Sequence, residues 1–168
     1  MSIIGKVWKY GDDINTDVIF PGKYTYTVSD PHEMAVHALE DLDSEFSDKV
    51  HKNDVIIAGE NFGCGSSREQ AATCLKYAGV GAIIAKSFSR IFFRNAINQA
   101  LPVIDCKEAA DHIETGDKVE INFEKGEIYW KEKVFAFKPL PEEILDIFND
   151  GGLIPHTKRL LKMKKGEK

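Results

Sequence analysis

The densest concentration of chemically capable residues is Gly63-Cys64-Gly65-Ser66-Ser67-Arg68-Glu69, between an apolar run at Val55–Ala58 and a run of helical periodicity beginning at Ala71. Where a strand passes through a glycine loop into a helix, free backbone N–H groups and the positive end of the helix dipole favour an anion. Gly63 and Gly65 permit close backbone approach, Ser66 and Ser67 offer hydroxyls, and Arg68 offers a bidentate fork for a carboxylate. That equipment suits a di- or tricarboxylic acid. A second reading stands beside it, because Ser66-x-x-Glu69 also has the spacing of a helix capping box. The loop is neither a Walker A sequence nor a dinucleotide fingerprint, since it lacks Gly-x-x-x-x-Gly-Lys and the third glycine. Cys64 at a helix start is a candidate thiol nucleophile with no histidine near it in sequence, and a small packed side chain is its alternative.

Such a loop must be held by strands that end at it. Residues 3–10 alternate as a strand and run into Gly11-Asp12-Asp13-Ile14-Asn15-Thr16-Asp17, which has more carboxylates than a turn needs. Asp30-Pro31-x-Glu33 has the cap, first-turn proline and third-position glutamate of a helix start, and Ala35, Ala38, Leu39 and Leu42 predict one buried stripe. Val55–Ala58 reads as a buried strand. The helix after the loop carries Ala71, Cys74, Leu75 and Ala78 on one face and stops at Gly79. Residues 80–85 form the next strand, Phe93, Ala96, Ile97 and Ala100 mark a helix, and 102–105 a further strand. Two strand–helix units in succession imply a parallel sheet with helices against it. Residues 118–124 and 128–137 then alternate about Lys125-Gly126-Glu127, which predicts an antiparallel hairpin. The fold class is α/β, with a mixed sheet and a C-terminal antiparallel hairpin. Residues 141–148 read as a short helix, and the basic tail, about 156–168, as solvated.

The 168 residues suffice for one core and one domain covering 1–168. A content of 43 % hydrophobic and 29 % charged residues is that of an ordinary folded chain. The net charge of -5 offers no general attraction to a phosphate backbone, so no nucleic-acid partner is expected. No apolar stretch approaches the roughly 20 residues that span a bilayer, and residues 1–6 lack the layout of a signal peptide. A cytoplasmic chain without membrane association is the expectation. Cys64, Cys74 and Cys106 form no Cys-x-x-Cys pair, so no metal site is expected within the chain.

Asn61-Phe62-Gly63-Cys64-Gly65-Ser66-Ser67-Arg68-Glu69 resembles the signature shared by the small subunits of 3-isopropylmalate dehydratases and the swivelling domain of aconitases. The resemblance extends to residues 11–19, similar to the family's first active-site loop, and to 87–96, similar to its third block. Order and spacing are kept through Cys106, and the length resembles the short, archaeal-type small subunit. This implies a three-layer β/β/α swivelling domain that docks on a large subunit holding a 4Fe–4S cluster, with no cofactor of its own. It implies a hydro-lyase of leucine biosynthesis that isomerises 2-isopropylmalate and 3-isopropylmalate as a hetero-oligomer, with self-association of the small subunit left open.

Carried over by position, Ser66 resembles the family's base, Ser67 and Arg68 its carboxylate-binding residues beside the Gly65 backbone, and Asp17 the carboxylate supporting a histidine of the large chain. Tyr26, in Tyr24-Thr25-Tyr26-Thr27, stands where tricarboxylate enzymes carry arginine. An alkyl substituent is therefore favoured, because a buried carboxylate without a cation would be costly. Homoaconitase-, citramalate- and 2,3-dimethylmalate-type dehydratases, and a non-catalytic carboxylate-binding module, are the alternatives. Arg90 and Arg94 read as solvated or interface residues and are left outside the catalytic set.

Overall fold

Four strands run parallel, β1 (Ser2–Lys9), β2 (Val55–Ala58), β3 (Ala82–Ala85) and β4 (Val103–Asp105), each paired with the next. Every residue of β2 and β3 is apolar and buried, as a parallel sheet covered on both faces demands. Three antiparallel strands, β5 (Lys118–Asn122), β6 (Glu127–Trp130) and β7 (Lys133–Ala136), continue from the far side of β1. In the computed structural model, which describes residues 1–166, the sheet order is β4-β3-β2-β1-β5-β6-β7. β1 is the joint: its residues Val7, Trp8 and Lys9 pair with β2, and Ser2 to Lys6 pair with β5.

Because alternate residues point to opposite faces, the sheet builds two cores. Ile56, Ala58, Ile83 and Ala85 pack with Met34 of α2 (Pro31–Val36), Ala71 and Leu75 of α4 (Gln70–Ala78) and Phe92 and Ala96 of α5 (Arg90–Asn98). Val55, Ile57, Ala82 and Ile84 pack with Ala109 and Ala110 of α6 (Lys107–His112) and with Val119, Ile121, Ile128 and Phe135 of the antiparallel strands. Helices, parallel strands and antiparallel strands thus make the three layers of a β/β/α fold. Buried Asp54 ties the joint down by accepting from Lys6 N–H, His51 N–H and Trp8 Nε1–H, which leaves no bare charge in the core.

Several predicted elements differ. α2 starts as expected, with Asp30 accepting from His32 and Glu33 N–H, but it ends at Val36. Leu39 takes a left-handed φ of 57° and donates its N–H to Ile19 O, and Leu42 is 40 % exposed, so the predicted stripe breaks. The hairpin is present as β5–β6, but its second arm turns at Lys131, φ 53°, and returns as β7. α1 (Thr16–Ile19), α3 (Phe46–Lys49) and α6 were not predicted. Residues 141–148 correspond to α7 (Glu142–Asn149), and the basic tail is exposed yet helical as α8 (Leu153–Gly166), with Glu167 and Lys168 outside the described residues.

Candidate functional site

The parallel strands deliver three loops to one edge of the sheet. The loop after β2 is zipped to the loop after β1 by Gly63 N–H to Ile14 O, 2.7 Å, and Thr16 N–H to Cys64 O, 2.8 Å. It is zipped to the loop after β3 by Phe62 N–H to Ser87 O, 3.0 Å, and Ser89 N–H to Phe62 O, 2.9 Å. The surplus carboxylates of the first loop serve this assembly: Asp12 accepts from Glu60 N–H and Asp13 from Asn61 Nδ2. Gly63 is required, since at φ +77° a Cβ would lie 2.2 Å from Phe92 Cγ.

Ser66, Arg68 and Asp17 come together here. Arg68 donates from Nε to Ser66 Oγ at 2.8 Å and from Nη1 to Thr25 Oγ1 at 2.9 Å, and its Nη2 forms an ion pair with Asp17. Three of its five N–H groups are engaged, and two remain for a ligand. The Thr16 hydroxyl, on a residue only 2 % exposed, lies 3.0 Å from Ser66 Oγ and accepts from Ser66 N–H at 3.1 Å. Gly65, Ser66 and Ser67 are exposed, and Asn95 of α5 steadies the turn by donating to Ser67 O.

The capping-box reading of Ser66 is overturned. α4 begins only at Gln70, its N-cap is Glu69, and no side chain caps it; the Ser66 hydroxyl is committed to Thr16 and Arg68 instead. Cys64 is a free, half-buried cysteine. Burial pushes the thiols of Cys74 and Cys106 up, away from thiolate. No group of three or more His, Cys, Asp or Glu is placed to hold a metal among the described residues.

Tyr26 lies in the loop before α2 and is 97 % exposed, next to Thr25, which touches Arg68. That loop is anchored by Glu40, which accepts from Tyr24 O–H at 2.9 Å, sits 2.9 Å from Lys23 Nζ, and lies 2.6 Å from His37 Nδ1. The Tyr24 and His37 rings stack at 3.7 Å. Thr16, Thr25 and Glu40 escaped sequence reasoning. For Thr16 the only available signal was its place between Asn15 and Asp17 in a polar loop; Glu40 gave none.

Partial burial pushes the Glu40 carboxyl up, but hydrogen bonds with Lys23, His37 and Tyr24 outweigh it and hold it at about 2, against an ordinary 4.5. A depressed carboxyl contributes stability that is complete above its unfolded value and is lost as the pH falls through its folded value. Glu40→Gln is therefore expected to lower Tm near neutrality, with the gap to wild type closing between about pH 4.5 and 2. Melting curves of both proteins across that window check it; a gap that stays constant means that the ionised carboxylate is not what holds the loop.

The Aconitase C-terminal domain family matches residues 11–109. The chain is 55 % identical over 160 residues to a 3-isopropylmalate dehydratase small subunit of Caldicellulosiruptor saccharolyticus, covering 94 % of this chain and 92 % of that one. It is 52 % identical over 159 residues to the 3-isopropylmalate dehydratase small subunit 1 of Archaeoglobus fulgidus, covering 94 % and 98 %. The crystal structure of a 3-isopropylmalate dehydratase from Methanocaldococcus jannaschii superposes with a TM-score of 0.93 at 44 % identity over the whole of both chains. Aconitase X of Thermococcus kodakaraensis shares the fold at 18 % identity, with a TM-score of 0.53 over 79 % of this chain and 92 % of that one. Among the described residues no helix is long and apolar enough to cross a membrane.

Proposed function

The chain belongs to the aconitase C-terminal domain family, and from that premise we propose that it is the small subunit of 3-isopropylmalate dehydratase. This hydro-lyase of leucine biosynthesis interconverts 2-isopropylmalate and 3-isopropylmalate by dehydration and rehydration. One observation carries the mechanistic reading: the exposed Ser66 hydroxyl has an arginine N–H and a threonine hydroxyl on it, and no helix to cap.

Ser66 takes the proton from the substrate carbon and returns it in the reverse direction. A free serine is too weakly acidic to serve as a base. Arg68 Nε–H donates into its oxygen, and Thr16 O–H can only donate once that oxygen is deprotonated, so both stabilise the alkoxide. The remaining Arg68 N–H groups and Ser67 hold a substrate carboxylate close to the Gly65 backbone. Asp17 orients Arg68 and keeps its charge local, and its exposed carboxylate is the group we assign to support a histidine of the partner.

We assign the 4Fe–4S cluster to the large subunit, as the family resemblance implies, where its Lewis acidity would help the hydroxyl depart. Mixing the chain with an anaerobically prepared cluster-bearing large subunit is expected to generate alkene absorbance from isopropylmalate, and the chain alone none. Turnover by the isolated chain would overturn the assignment.

Tyr26 selects the alkyl substituent, standing beside Thr25 and therefore close to the carboxylate clamp. Tyr26→Arg is expected to impair isopropylmalate and favour a substrate with an additional carboxylate, shifting the ratio of kcat/KM values by roughly 1 to 3 kcal/mol. Both substrates are measured on both proteins. An unchanged ratio with intact activity places Tyr26 outside the pocket.

A further inference from the structure

A crevice of about 540 Å³ opens where the ends of β3 and β4 meet the first turns of α5 and α6, beyond the residues assigned to catalysis. Lys86, Arg90, Arg94 and Lys107 line it, with Asp105 as the single carboxylate. This is a cationic concavity on a chain of net charge -5. Lys86 is neutralised by Asp111 at 2.5 Å, and Lys107 stands 3.8 Å from Glu60. Arg90 and Arg94, four residues apart on α5, are exposed, and among the described residues neither has an ion pair or a side-chain hydrogen bond. Between them Ile91 is 48 % exposed. Arginine beside an uncovered aliphatic side chain is the composition of an interface, where arginine is enriched and lysine depleted.

The position of the crevice names its occupant. α5 also carries Asn95, which holds Ser67 O, and the turn that opens α5 is bonded to Phe62 of the catalytic loop. The crevice and Ser66–Arg68 therefore share one edge of the sheet. A second chain that covers the exposed Ser66 loop along this edge meets two guanidiniums that have no ion pair among the described residues, and planar forks of that kind are satisfied by carboxylates.

We infer that Arg90 and Arg94 form the docking site for an acidic segment of the large subunit, seated in the crevice beside the catalytic loop. This rests on the proposed function, since only a two-chain enzyme requires such a contact. It assigns the pair to assembly rather than to chemistry: the docked carboxylates steer association and fix the approach of the partner to Ser66.

The test uses the full chain and its cluster-bearing large subunit, held anaerobically. The Kd is measured at low and high salt for wild type, for Arg90→Glu/Arg94→Glu, and for Lys162→Glu/Lys165→Glu on α8 as a control of equal charge change. Glutamate suits both positions of an exposed helix, the first turn especially, so the fold should survive. A Tm near that of wild type checks this. The Arg90/Arg94 variant is expected to raise Kd on the order of tenfold or more and to lose most of the salt dependence, while kcat at saturating large subunit stays within about twofold of wild type and the α8 control binds normally.

Equal weakening in both variants would mean a general field rather than a docking site and would overturn the inference. So would a wild-type Kd and salt slope in the Arg90/Arg94 variant. Loss of inorganic phosphate binding in that variant with Kd unchanged would assign the crevice to a free anion instead. Failure of wild type to bind the large subunit at all would sink the proposed function itself, whereas normal turnover with an unchanged Kd removes only the docking role.

Discussion

Ser66→Ala in the reconstituted enzyme is expected to cut kcat by about 10² to 10⁴, the range for removing a general base, with only a small loss of fold stability. The two halves of that expectation come from the same contacts. Among the described residues Ser66 Oγ hydrogen-bonds only with Thr16 and Arg68, so its removal takes away the proton acceptor and leaves the scaffold in place. Buried Thr16 keeps its bond from Ser66 N–H and reaches Ser66 O at 3.3 Å, so no buried hydroxyl is orphaned. Two hydrogen bonds are lost, one part-buried and one exposed, but with no buried group left unsatisfied the stability cost should stay at about 1 kcal/mol. A true helix cap would cost roughly 0.5 to 2 kcal/mol on the same replacement. Steady-state rates and melting curves on one preparation separate the readings. A variant that is markedly less stable yet close to fully active would return Ser66 to a structural role.

What the sequence disclosed about this site was decided by distance along the chain. The strand, glycine loop and helix around residues 55–79 are set by neighbours, and Gly79 ends α4 in the left-handed conformation expected of it. The carboxylates at 12 and 13 were visible as a surplus, but their partners at residues 60 and 61 lie 48 positions away, and no local rule supplies them. The capping box failed for a related reason. Its spacing was right, yet the backbone from 66 to 68 is not helical, and the hydroxyl found a better partner in a threonine 50 residues upstream.

The same competition between local preference and tertiary contact explains the errors in the fold. Ala35, Ala38, Leu39 and Leu42 have helical spacing, but Leu39 turns left-handed and closes onto Ile19 O instead, a contact 20 residues away that no helical periodicity encodes. Alternation through residues 128–137 is real on both sides of Lys131, so periodicity alone could not reveal that the chain reverses there. In α8 the basic residues suggested solvation and were right about exposure. They carried no information about backbone conformation, because lysine and arginine are good helix formers as well as soluble ones.

Arg68→Lys is the sharper test of how the site is built, because it keeps the charge and removes the geometry. The guanidinium serves three partners on three segments at once: Ser66 through Nε, Thr25 through Nη1 and Asp17 through Nη2. A lysine ammonium is a single point donor on a flexible stem and cannot span them while also presenting a fork to a substrate carboxylate. Of the three, Ser66 is the partner whose loss affects chemistry, since its alkoxide then keeps only the Thr16 donor. Binding and catalysis are therefore expected to fall together, with kcat/KM down by about 10² or more, comparable to removing one preorganised donor from an oxyanion site. The released Asp17 also exposes its charge near the substrate carboxylate, so KM should rise more than the loss of the fork alone would predict. Steady-state kinetics with saturating large subunit resolve the two parameters. A variant with normal kcat and only a raised KM would show that Arg68 holds substrate but does not activate Ser66, and the base would then have to draw its stabilisation from the partner chain.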